Sequence, residues 1–281
     1  MSNATHEAND ELFSASRVEP LGTYLRSLWD RRDYIIQVPL NELRVQQANT
    51  LLGNVWLLLN PVLQVGVYFL VFGLIVDVRR GIDDYIVFLT IGVFVFFFSQ
   101  RVITNCASSI QTSIGLIRAM RFPRAVLPLG NVVFAVLAFV PTFFVMILVT
   151  VGYGNLPTWR WLAVVPIFIL QISFSAGAGF FVARLNHLYA DLENTLPFIF
   201  RLLFYMSGVL YAVDRFIENE SLRQLFAINP MYDFLSLWRW ALLDLEVMGV
   251  VWFASVLWAF VALIFGFLFF RAGEGSYGRG S

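Results

Sequence analysis

Apolar residues fill long stretches of this chain that no aspartate or glutamate interrupts, at about 53–76, 85–108, 126–151, 161–183, 196–213 and 249–270. A bilayer core of about 30 Å takes roughly 20 residues of helix at ~1.5 Å each, so each stretch is long enough to cross it. The pattern predicts an all-α integral membrane protein with six transmembrane helices. Lipid, not water, is the solvent that the rest of the chain must suit.

The polar positions between these stretches supply the remaining elements. Residues 1–18 are polar and predict a disordered tail. After Pro20, the residues Leu21, Tyr24, Leu25, Leu28 and Trp29 repeat with helical spacing, while Arg26, Asp30, Arg31 and Asp33 take the other face. Such an N-terminal amphipathic helix suits the membrane interface plane. A second helix is expected to start at Pro39 and to carry Glu42, Arg44, Gln46 and Gln47 toward the first span. The loop 113–128 alternates arginine with apolar residues and predicts a short surface helix. The segment 214–248 opens charged, with Asp214, Arg215, Glu218 and Glu220, and passes through Ile228-Asn229-Pro230. It then turns amphipathic at Phe234, Leu235, Leu237, Trp238 and Leu242. It predicts a re-entrant or interfacial helical hairpin between spans five and six. The chain thus divides into a tail (1–18), interfacial and gate helices (19–50), a six-helix transmembrane domain (51–272) and a short tail (273–281).

Composition agrees: 59% of residues are hydrophobic and 14% charged, against about a quarter charged in soluble domains. No stretch is left for a separate globular enzyme domain. The single cysteine, Cys106, lies in a span and reads as a small buried hydrophobe. Residues 1–20 lack the basic head and apolar core of a signal peptide. His6 and His187 sit in no metal-ligand spacing, and Asp83-Asp84 fall in an outer loop, so catalysis and metal binding find no support.

All 19 basic residues are arginine. A Walker A site needs a lysine that reaches the terminal phosphates, so this chain cannot carry one. If transport is ATP-driven, ATP and Mg belong to a second polypeptide, and no cofactor is expected on this one. The arginines also set the orientation. Arg17, Arg26, Arg31, Arg32, Arg44, Arg118, Arg121, Arg124, Arg184, Arg271 and Arg279 fall on one side. Arg79, Arg80, Arg160, Arg215, Arg223 and Arg239 fall on the other. The positive-inside rule then places both termini in the cytoplasm. Arg101 and Arg201 remain within spans. Each either snorkels to the headgroups or serves a functional site. The carboxylate-free spans disfavour a proton- or sodium-coupled carrier.

Four stretches carry a family resemblance: Leu51-Leu-Gly-Asn-Val-Trp56 leading to Asn60-Pro61; Gly115-Leu-Ile-Arg118 with Arg121-Phe-Pro-Arg124 and Leu127-Pro128; Asp191 to Pro197; and Ile228-Asn229-Pro230-Met-Tyr before Arg239. Over residues 20–272 the chain resembles the membrane subunit (permease) of an ABC-2 type polysaccharide exporter, the Wzm-like group of O-antigen, capsule and teichoic acid permeases. The resemblance implies a homodimer bound to two copies of a cytoplasmic ABC ATPase subunit in the bacterial inner membrane. It implies a polyprenyl-pyrophosphate-linked glycan as cargo, passing between the protomers, and no nucleic acid. Cell-wall galactan is one candidate, since an all-arginine chain suits a GC-rich bacterium.

The amphipathic helix, with Leu28 and Trp29, and the loop holding Arg118, Arg121, Phe122, Pro123 and Arg124 would transmit ATPase movement. For the substrate path the candidates are Trp56, Phe94, Phe98, Tyr205 and Trp238, whose rings can stack on sugars, with Arg101 and Arg201 for the pyrophosphate. Lipid-facing or packing duty is the alternative for each aromatic. The stretch Leu185-Asn-His-Leu188 is less basic than in many relatives. Export of a drug or lipid, a non-ABC channel or carrier, and a membrane-embedded transferase remain the competing functions.

Overall fold

The computed structural model describes residues 20–48, 55–75, 82, 84–120, 122–213, 217, 223 and 225–277, and every regular element among them is helical. In chain order these are α1 (Leu21–Asp30), α2 (Arg32–Ala48), α3 (Val55–Tyr68, running on as a π-helix over Phe69–Ile75), α4 (Tyr85–Thr112) and α5 (Ile114–Ala119). There follow α6 (Val126–Gly152), α7 (Val164–Leu188, after a 3-10 turn over Trp159–Ala163), α8 (Leu192–Met206), α9 (Pro230–Leu243) and α10 (Gly249–Ala272).

Four stretches, Tyr85–Thr112, Val126–Gly152, Trp159–Leu188 and Gly249–Ser276, are long and apolar enough to cross a membrane. The other two of the six expected spans come out differently. Val62–Ile75, within the first, is a shorter apolar helix. The fifth, expected over 196–213, is helical only as far as Met206. Gly208 there takes a φ of 64, a left-handed conformation that glycine adopts without strain, and the chain turns. Pro39 does not start a helix but lies inside α2.

α4 is the central element. Nearly every side chain from Tyr85 to Val95 is buried, and the helix packs against α3, α6, α7, α8 and α9. α7 and α10 cross with backbones in contact, because Gly177 and Gly266 face each other and a Cβ on either would collide with the opposite backbone. Small residues allow such close approach, which carries much of helix association where lipid supplies no hydrophobic drive.

α9 is the second half of the expected hairpin, while most of the first half lies outside the described residues. α9 is not a surface helix. Phe234, Leu235, Leu237 and Trp238 are buried, and the Phe234 ring meets Phe174 near the middle of α7 at 5.5 Å. The polar groups it brings inside are mostly bonded. Trp238 Nε1 donates to Gln171 Oε1 at 2.8 Å, and Gln171 Nε2 donates to Ser99 Oγ at 2.8 Å and the Val95 carbonyl at 2.9 Å. Asp233 is wholly buried, and neither carboxylate oxygen has a hydrogen-bond partner among the described residues. The carboxylate-free pattern therefore holds for the long helices and fails for α9, the amphipathic half of the expected hairpin, whose Asp233 is buried in the bundle.

Two clusters mark the ends of the bundle. Tyr24, Leu28, Ile110, Ile117, Leu127, Phe180, Phe270 and Tyr277 form one apolar cluster. The start of α6, the far ends of α4, α7 and α10, and both described chain ends therefore share one end. At the other end Asn155 Nδ2 donates to Asp84 Oδ2 at 2.8 Å, and Arg160 pairs with Asp244 at 3.3 Å.

Candidate substrate path and coupling face

The candidate coupling face is built on the end cluster. α1 uses only part of its apolar face against the protein: Tyr24 and Leu28 are buried, while Leu21, Leu25 and Trp29 form an exposed stripe, Trp29 at 70%. The Tyr24 hydroxyl accepts from the Ala125 backbone N–H at 3.3 Å and donates to Glu274. Burial, with the Glu274 carboxylate beside it, pushes the Tyr24 phenol above its ordinary value, so it stays a donor. Glu274 Oε1 also accepts from the Arg124 backbone N–H, and the Arg124 side chain donates to the Glu274 carbonyl. The Arg271 guanidinium lies 5.1 Å from the Tyr24 ring centre, and Arg31 lies 5.9 Å from that of Phe122.

One carboxylate thus fastens the N-terminal helix, the segment before α6 and the end of α10 to one another. Leu28, Phe122, Pro123 and Arg124 gather at this face. Arg118 is exposed at the end of α5, and Arg121 lies outside the described residues. Sequence reasoning missed Glu274, because nothing local marks a residue whose partner is 150 positions away.

The substrate-path candidates separate into two groups. On the exposed side of α3 and α8, Trp56 is 39% and Tyr205 48% exposed. Arg201 and Tyr205 lie close enough to act electrostatically on the Tyr68 hydroxyl, which is bonded to Gln64. Arg201 lies 5.9 Å from the Phe198 ring centre. Tyr68 and Gln64, not singled out from sequence, complete a polar patch on an otherwise apolar surface.

Phe94, Phe98 and Arg101 form the second group. They line a small cavity of about 30 Å³ against α6, with Phe97, Phe139 and Thr142. Arg101 has no hydrogen-bond or ion-pair partner among the described residues. The groups are joined through α4, since Phe97 stacks on Phe204 at 5.7 Å and Phe204 meets both Tyr68 at 5.1 Å and Tyr205 at 5.7 Å. Trp238 belongs to neither surface. It is fully buried against Phe139, Phe143 and Phe168, behind the wall that Phe98 presents. His187 packs edge-on against Tyr277, and no group of residues able to hold a metal ion occurs among the described residues.

A model of the ABC-2 type transporter family matches residues 41–243. The chain is 29% identical to an O-antigen export system permease protein, RfbA, of Klebsiella pneumoniae, over 86% of this chain and 94% of the relative. It is also 29% identical to a protein of the same description from Myxococcus xanthus, over 75% of this chain and 81% of the relative.

Proposed function

The chain belongs to the ABC-2 type transporter family, and we propose on that ground that it is the membrane subunit of an ATP-driven exporter, moving a polyprenyl-pyrophosphate-linked polysaccharide across the bacterial cytoplasmic membrane. The observation that carries this reading is the likeness to O-antigen permeases over most of both chains. The lack of lysine supports a division of labour: the phosphate-gripping residue of a Walker A site must come from another chain. Two copies of this subunit would bind two ATPase subunits, which hold the ATP and Mg. The arginine balance supports putting the Tyr24–Glu274 end, with both termini, in the cytoplasm.

Within this reading the exposed face of α3 and α8 borders the path. Arg201 would bond the pyrophosphate by charge-assisted hydrogen bonds, and Trp56, Tyr68 and Tyr205 would stack on sugar rings. Trp238 backs the wall that holds Phe98 and Arg101. Trp29, Arg118 and the segment 121–124 would meet the ATPase, and Leu28 and Glu274 would pass its movement to α6 and α10.

Depletion of the chain tests the reading. Lipid-linked glycan should accumulate on the inner leaflet, and an ATPase should co-purify whose turnover rises with that glycan. Arg201→Ala should lower export about ten-fold with normal membrane insertion. Undiminished export after depletion would contradict the proposal.

A further inference from the structure

The small cavity at Arg101 adjoins a second one along α4 and α6, and Phe94 lines both. The second is an apolar groove of about 230 Å³ that runs between α3, α4 and α6 to Ile86 and Tyr153. α3 contributes Val62, Val65, Gly66 and Phe69. From Arg101 to Ile86 is 15 residues of α4, roughly 22 Å at ~1.5 Å each. Taken together, the two cavities span more than half of a bilayer core of about 30 Å, further than the tail of a lipid confined to one leaflet reaches.

The two ends differ in chemistry. The long part is mostly apolar: the Thr90 hydroxyl on its wall is already bonded to the Ile86 carbonyl at 2.6 Å, and the other hydroxyl-bearing residue, Tyr153, stands at the far end. The short end holds the Arg101 guanidinium, without a partner among the described residues, and Thr142, whose hydroxyl makes no hydrogen bond there. An open guanidinium at membrane depth calls for an anion, and its planar fork suits a phosphate edge. The space beside it admits an oxyanion but no sugar ring.

We infer that the α3–α4–α6 groove binds the lipid end of the cargo, a single long isoprenoid chain lying in the apolar part with its phosphate on Arg101. The inference rests on the export of a lipid-linked glycan argued above and adds where that lipid is gripped. The second phosphate of the pyrophosphate and the sugars project past Phe97 toward the face bearing Tyr68, Tyr205 and Arg201. The site thus recognises the carrier lipid and leaves the choice of glycan to other surfaces.

The test uses the full-length chain with its ATPase in phosphatidylcholine nanodiscs and tritiated polyprenyl monophosphate as probe, with polyprenol and phosphatidylglycerol as competitors. Polyprenyl phosphate should bind at least about ten-fold more tightly than polyprenol, and Arg101→Ala should erase that preference while chain binding persists. Gly66→Leu should block both lipids. An added Cβ at Gly66 meets nothing within 4 Å, so the variant fills the groove without disturbing the protein. A phosphate preference unchanged by Arg101→Ala overturns the inference. So does phosphatidylglycerol competing as well as polyprenyl phosphate, because the groove is then a seat for bulk lipid. Either result with glycan export intact removes the groove alone, whereas loss of the parent reading shows as export that survives depletion of the chain.

Discussion

Two arginines meet the two halves of α4 in opposite conditions. Arg239 reaches the half that starts at Tyr85 from α9. Its guanidinium donates to the carbonyls of Gly208 and Val209 at 2.8 Å and of Phe88 at 3.3 Å, and lies 3.3 Å from the Phe88 ring centre. Gly92 permits the approach, since a Cβ there would strike the guanidinium. Arg101, further along the same helix, lines a cavity and bonds nothing among the described residues. A guanidinium brings five donors, and donors left empty in a low-dielectric site cost free energy that a partner can recover. Where backbone carbonyls take up the terminal nitrogens, as at Arg239, the arginine is structural. Where the fold leaves them open, as at Arg101, a bound anion would recover that free energy.

The contrast gives an order of effects on stability, each readable as a thermal midpoint of the purified chain in detergent. Arg239→Ala should be the most damaging, at about 3 kcal/mol or more, because it orphans buried carbonyls on two segments; a midpoint within 2 °C of wild type would break the comparison. Gly266→Leu should cost about 2 kcal/mol by forcing α7 and α10 apart. Unchanged stability would mean the crossing is not as close as the Gly177–Gly266 contact indicates. Gln171→Leu should cost about 1 kcal/mol, the scale of an interhelical hydrogen bond in a membrane, by leaving Trp238 Nε1 unbonded. Arg101→Ala should cost nothing measurable while export falls, and a destabilisation as large as that of Arg239→Ala would erase the distinction.

The sequence made the long helices legible because lipid imposes a length and forbids charge, and both can be counted along α4, α6, α7 and α10. Arg101 and Arg201 were legible for the same reason, as charges where none belongs. α9 was half legible. Phe234, Leu235 and Trp238 announce the helix of the expected hairpin, but nothing in the pattern tells that it is buried, and Arg239 reads as a charge on the side opposite the termini. Its real acceptors are backbone carbonyls around Gly208, exposed by the break at Met206 that no apolar run reveals. The Tyr24–Glu274–Arg124 contact was illegible, since it joins three segments remote in sequence. The loop 113–128, whose alternation of arginine and apolar residues predicts a short surface helix, meets the N-terminal helix and Tyr277 in one apolar cluster through Ile117, Phe122 and Leu127.

The central claim is that this subunit carries a lipid-linked glycan outward on power supplied by another chain. The most direct measurement is lectin binding to the glycan on the outer face of spheroplasts that carry this subunit and its ATPase. Lectin should bind when both are intact, and lose its target when either the subunit is depleted or the ATPase's Walker lysine is replaced. Glycan that still reaches the lectin under either condition would contradict the account.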